Sequence, residues 1–153
     1  MLRLGLGIGA LVALLDQATK WWILATVMQP PRVIEVTPFF NLVLGWNRGV
    51  SFGLFNESDG VGPWPFVVLT AAITVGLVIW LKRTTYAWLG VALGLIIGGA
   101  IGNAVDRLRF GAVVDFLDFH LAELHWPAFN VADSAISVGV VMVLVDSLFG
   151  RRR

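Results

Sequence analysis

Four apolar stretches constrain this chain more than any other feature of its sequence. They run from Leu4 to about Met28, from Pro65 to Leu81, from about Tyr86 to Ala104 and from about Val131 to Phe149. A membrane-spanning helix needs roughly 17–25 predominantly apolar residues, so all four qualify, the second only just. With 58% hydrophobic and 14% charged residues, the 153-residue chain also lacks the polar surface that a soluble domain requires. The expected fold is an α-helical integral membrane protein: a four-transmembrane-helix bundle forming a single membrane domain over residues 1–153. Its helices are expected at about 4–28, 65–81, 86–104 and 131–149, with external segments at about 29–64 and 105–130.

The first stretch begins like a signal peptide, with Arg3 ahead of an apolar core. Apolar residues resume after Lys20 with Trp21, Trp22, Ile23 and Leu24, and no small-residue cleavage site follows, so the reading is a mature helix. Basic residues then orient the bundle. Arg3, Lys82-Arg83 and Arg151 to Arg153 on one side outnumber Arg32, Arg48, Arg107 and Arg109 on the other, which predicts both termini in the cytoplasm. In the first external segment, Arg32 to Asn56 is rich in Val, Ile, Phe and Thr, with turn residues at Pro38 and Asn47 to Gly49. Short strands lying on the membrane fit that composition. In the second, the run Val113-Val114-Asp115-Phe116-Leu117-Asp118 alternates, which would place Asp115 on one strand face with Val113 and Leu117.

Polar residues inside the spans are few. Gly90, Gly94, Gly98 and Gly102 recur every fourth residue, a spacing that lets a neighbouring helix approach one face closely, and Asp106 continues that stripe. Asp16 and Lys20 stand four residues apart and can pair on the first helix. With the N-terminus inside, Asp16 lies roughly 18 Å beyond Leu4, in the outer half of the membrane, and Lys20, about 24 Å along, can reach the outer headgroups by snorkelling. A carboxylate at that depth costs a few kcal/mol and so has a partner or a job; support of a nearby site is the preferred role. Asp146 lies near the other end of the bundle, where Arg151 to Arg153 suffice to pair with it, and is given no function.

Chemistry concentrates where the third and fourth helices meet the outside. Asp133 opens the fourth helix and Asp115 lies on the segment leading back to it, so both reach the same membrane surface. Two carboxylates in one partly desolvated site hold a proton between them, which is what an aspartic peptidase needs. From spacing alone other readings stay open: Asp133 as a helix N-cap and Asp115 as an exposed loop carboxylate. The chain has no cysteine, and no serine has a histidine at a convincing spacing, so a nucleophilic triad is poorly supported. His120, Glu123 and His125 match no zinc motif, and no metal is expected. A net charge of +1 leaves no footprint for nucleic acid. Asp16 and Lys20 at depth would also suit a small proton-coupled transporter, and the glycine stripe a packing subunit. The first would cluster its polar groups near the midplane, and the second leaves the carboxylate pair unexplained.

Over essentially its whole length the sequence resembles bacterial lipoprotein signal peptidase, the signal peptidase II family of aspartic membrane peptidases. The resemblance rests on Asp16 and Lys20, on Asn47-Arg48-Gly49-Val50-Ser51-Phe52, on Gly102-Asn103 with Asp106-Arg107, on Val113-Val114-Asp115-Phe116, and on Phe129-Asn130 with Ala132-Asp133, all in order. It implies that Asp115 and Asp133 are the catalytic pair. Asn47, Gly49, Asn103, Asp106, Arg107, Asn130 and Ala132 would line or brace the site, with Asp16 and Lys20 supporting it from the first helix. The implied reaction removes the signal peptide from a prolipoprotein, cutting before the diacylglyceryl-modified cysteine, without cofactors. The implied partners are lipid-modified prolipoproteins and membrane lipids. The implied setting is the bacterial inner membrane, with a monomer whose active site faces outward. The family fold adds a small β-cradle and an interfacial helix. One departure is visible at Val50-Ser51, where many members carry two small residues.

Overall fold

The computed structural model describes residues 1–49 and 62–149. The Val50-Ser51 departure, Phe52 and the Arg151 to Arg153 terminus lie outside the described residues. In chain order the elements are α1 (Leu2–Trp22), a π-helical turn (Ile23–Val27), β1 (Ile34–Thr37), β2 (Phe40–Asn47), α2 (Trp64–Arg83), α3 (Ala87–Phe110), β3 (Val113–Leu121), β4 (Leu124–His125) and α4 (Val131–Phe149). Among the described residues, four helices are long and apolar enough to span a membrane, the first including the π-helical turn.

α3 is the hub. It packs against α1, α4 and α2, and its buried face includes Leu89, Leu93, Ile97 and the glycine stripe. The stripe meets a second pair of glycines on α1. A methyl group at Gly94 would lie 2.5 Å from the Gly5 carbonyl oxygen, and one at Gly98 would lie 2.8 Å from Val12 Cβ. Backbones can approach this closely only where side chains are absent, and van der Waals packing then holds helices that gain nothing from hydrophobicity in lipid. The same stripe ends against the site, since a methyl group at Gly102 would sit 2.5 Å from Asp16 Oδ2.

α3 runs to Phe110, six residues beyond the Ala104 end expected from sequence, so Asp106 and Arg107 are helical. Asn103 and Asp106 continue the buried face instead of breaking the helix, because each finds a partner on another element. Gly111 closes α3 in the left-handed region (φ 73°), and its N–H bonds the Arg107 carbonyl at 3.0 Å.

The four strands form an antiparallel sheet in chain order, with β2 and β3 paired through Asn41↔Asp118 and Gly45↔Asp115 and a register irregularity between. Pro38 and Phe39 turn β1 into β2. The expected alternation of burial along β3 does not appear: Val113, Val114, Asp115 and Phe116 are all buried. β3 is paired with β2 along one edge and bridged to Phe129 at Leu117 along the other, while Phe116 packs against Ile23 and Met28 and Asp115 turns to Asn130. A cluster of Ile23, Met28 and Phe116, joined by Ile34, Leu42 and Val131, fastens the sheet to the end of the bundle. No interfacial helix occurs among the described residues of the external segments.

Candidate active site

The site forms where β3 crosses the start of α4, above the α1–α3 seam. Asn130 organises it. As the N-cap of α4 it accepts the Asp133 N–H on Oδ1 at 2.9 Å, so the capping residue is Asn130 and Asp133 stands in the first turn behind it. Its Nδ2 donates to Asp115 Oδ1 at 2.7 Å and to the Val114 carbonyl at 3.2 Å. Asn103, on α3, donates in turn to Asp133 Oδ1 at 2.7 Å. The two amides meet, Asn130 Nδ2 lying 3.3 Å from Asn103 Oδ1. Asp115 and Asp133 are thus brought into one site from a strand and a helix, linked through a pair of asparagines.

Beneath them lies a buried charge cluster. Lys20 Nζ is 2.8 Å from Asp16 Oδ2, 2.8 Å from Asp106 Oδ2 and 3.0 Å from Asn103 Oδ1. Lys20 therefore does not snorkel: it is 2% exposed and turned inward, because two carboxylates and an amide oxygen replace water around its ammonium. Asp16 accepts the Ala132 N–H on Oδ1 at 2.9 Å, which ties α1 to the first turn of α4. Asp106 Oδ2 accepts the Val114 N–H at 3.1 Å and fixes the start of β3. Gln17, which no sequence motif singles out, completes the cluster by donating to Asp106 Oδ1 at 2.8 Å and to the Gly102 carbonyl at 3.2 Å. Its only sequence signal is adjacency to Asp16.

The remaining expected residues line the open side. Asn47, at the end of β2, hydrogen-bonds Asp115, and its Oδ1 accepts the Gly49 N–H at 2.9 Å. Gly49 has a positive φ of 89°, and a methyl group there would lie 3.1 Å from the Phe66 ring. Arg107 lies over the other approach to that ring, Cζ 5.5 Å from its centroid, and its charge acts on Asp133, Asp115 and Asp106. Phe66 also escaped the sequence reading, since a Phe at the start of an apolar helix carries no signal.

Burial pushes the Asp115 carboxyl up to about 6. The nearby charge of Asp133 adds to that push, while the amides of Asn47 and Asn130 and the ammonium of Lys20 oppose it. The arrangement can hold one proton between two carboxylates and present both to a peptide carbonyl and a water.

The histidines belong elsewhere. His120 and His125 stack at 4.9 Å on the β3–β4 hairpin, and His125 Nδ1 lies 2.9 Å from Asp118 Oδ1. Asp118 is held below the ordinary carboxylate value. Its burial works the other way and is outweighed by the hydrogen bonds from His125 and Asn41. Asp146, at the other end of the bundle, accepts the Tyr86 hydroxyl.

Comparison with known proteins shows the family of the chain. The family described as Signal peptidase (SPase) II matches residues 8–149. A lipoprotein signal peptidase of Methylobacterium radiotolerans is 47% identical over 147 residues, which are 95% of this chain and 86% of the relative. One of Rhodopseudomonas palustris is 47% identical over 153 residues, covering 97% and 93%. A solved structure described as a bacterial membrane enzyme, determined by the in meso method at 1.9 Å, superposes with a TM-score of 0.81 at 31% identity, covering 96% of this chain and 93% of that one. A second, at 2.3 Å, gives 0.78 over 97% and 92%. On this agreement of sequence and fold, the chain belongs to the signal peptidase II family.

Proposed function

We propose that this chain removes the signal peptide from prolipoproteins as a membrane-embedded aspartic endopeptidase, with Asp115 and Asp133 as its catalytic pair. The observation that carries the reading is the meeting of these two carboxylates on one pair of asparagine amides. The charged member takes a proton from water, and the neutral member hydrogen-bonds the scissile carbonyl. Asn47 and Arg107, on the open side, supply donors for an extended peptide backbone. Gly49 leaves room beside Phe66, and Ala132, Asp106, Asp16 and Lys20 hold the floor in place.

The cut falls before a cysteine bearing diacylglycerol. A lipid-anchored precursor is confined to the bilayer surface, and a site at the end of a transmembrane bundle needs no cofactor to meet it. Its partners are lipid-modified prolipoproteins and the surrounding lipids, in a bacterial inner (cytoplasmic) membrane. Both termini face the cytoplasm and the site faces outward. The basic turn at Lys82-Arg83 supports this orientation, since positive loops stay inside. On this reading residues 1–153 are a single membrane domain that works as a monomer. The deciding experiment is cleavage of a lipidated precursor by purified protein, comparing wild type with Asp115→Asn and Asp133→Asn. Loss in both is expected, and normal cleavage by either one overturns the assignment.

A further inference from the structure

An aspartic pair needs one charged and one neutral member, and the surroundings of these two are not equivalent. Asn103 Oδ1 faces the Lys20 ammonium at 3.0 Å, and an ammonium has only hydrogens to offer. The amide of Asn103 therefore has one usable orientation, with Nδ2 toward Asp133 at 2.7 Å, so Asp133 Oδ1 must act as acceptor. The Asp133 N–H fixes Asn130 by the same logic, which makes Asp115 Oδ1 an acceptor as well. The proton of the pair is left to the Oδ2 atoms.

Position then separates the two. Asp133 stands in the first turn of α4, where the helix end favours negative charge. It is half-buried, and Arg107 on α3 acts on it more strongly than on Asp115 or Asp106. Asp115 is 3% exposed on a central strand, and its Asn130 donor is shared with the Val114 carbonyl and Asn103. The charged groups acting on Asp115 include Asp133 from α4, Lys20 from α1 and Arg107 from α3. Those around Lys20 are Asp16 on α1 and Asp106 on α3.

We infer that Asp133, in the first turn of α4 beside Arg107, is the charged, water-activating member and that the proton rests on the buried Asp115. This rests on the catalytic pairing proposed above. Asp133 removes a proton from the attacking water, whose oxygen bonds the scissile carbonyl carbon, while Asp115 gives its proton to the carbonyl oxygen. When the C–N bond breaks, the proton on Asp133 leaves with the amine nitrogen. A hydroxyl proton of the tetrahedral carbon returns to Asp115, and the starting state is restored.

Infrared spectroscopy of the purified full chain with isotope-labelled aspartate tests the polarity at about pH 5, below the Asp115 value of about 6. The protonated-carboxyl band should vanish in Asp115→Asn and persist in Asp133→Asn; any other pattern overturns the inference. Cleavage failing in both variants while the band belongs to Asp133 would sink only the polarity. Cleavage surviving in either variant would sink the catalytic pairing itself.

Discussion

Asp115 and Asp133 each receive an asparagine amide at 2.7 Å, one from Asn130 and the other from Asn103, and those asparagines contact each other. On the proposed catalytic pairing, replacing either carboxylate by an amide preserves shape but removes an acid or a base from the reaction. Cleavage of a lipidated precursor should fall by at least about 100-fold in Asp115→Asn and in Asp133→Asn, the lower end of what acid–base groups contribute. Both proteins should still insert and elute as wild type does in size-exclusion chromatography, so that the loss reports chemistry.

Asp115 should also register in stability, with a definite sign. Its folded-state value of about 6 lies above the ordinary carboxyl value of 3.8, so the folded protein binds the proton more tightly. That contribution to folding is complete below 3.8 and is lost as pH rises through about 6. Asp115→Asn, neutral throughout, should therefore be more stable than wild type at about pH 7, by at most about 3 kcal/mol. The gain should shrink as pH falls toward 4. Thermal unfolding of both proteins across that range measures it, and a gain that grows on acidification would contradict the buried-acid picture.

Arg107 combines a charge acting on both aspartates with a contact over Phe66. Arg107→Ala should raise KM for a lipidated precursor by on the order of tenfold while leaving membrane insertion intact. Arg107→Lys should recover only part of that, because an ammonium keeps the charge but loses the planar fork and the ring contact. Unchanged kinetics in Arg107→Ala would remove it from the site.

The glycine seam makes a prediction with built-in controls. Gly98→Ala places its methyl group against the Gly9 carbonyl and Val12, and should destabilise the bundle by about 1–3 kcal/mol. Gly7→Ala and Gly76→Ala meet no atom within 4 Å and should be neutral or slightly stabilising. Denaturant or thermal titration of the three variants in one detergent separates the cases.

Much of this was legible in the sequence because membranes simplify it. A span announces itself by length, and a carboxylate inside one announces that it has a partner, as Asp16 and Lys20 do. What stayed hidden depended on which way polar groups turn. Lys20 looked free to reach the headgroups, yet three oxygens on two helices draw it inward. The polar end of α3 looked like the start of a loop, because nothing local shows that α1 and β3 satisfy Asn103 and Asp106 in place. Gln17 and Phe66 matter only through contacts made across the fold, and neither residue type at its position is unusual. Asn130 and Asp133 could each have capped α4; backbone geometry at the helix start decides it.

The glycine seam ends at Gly102, against the Asp16 carboxylate that holds the first turn of α4. Steps in a staircase behave this way: shift the lowest tread and the landing moves. Whatever prises α1 from α3 thus also loosens the anchorage of Ala132, distance along the chain being no protection when one carboxylate joins both.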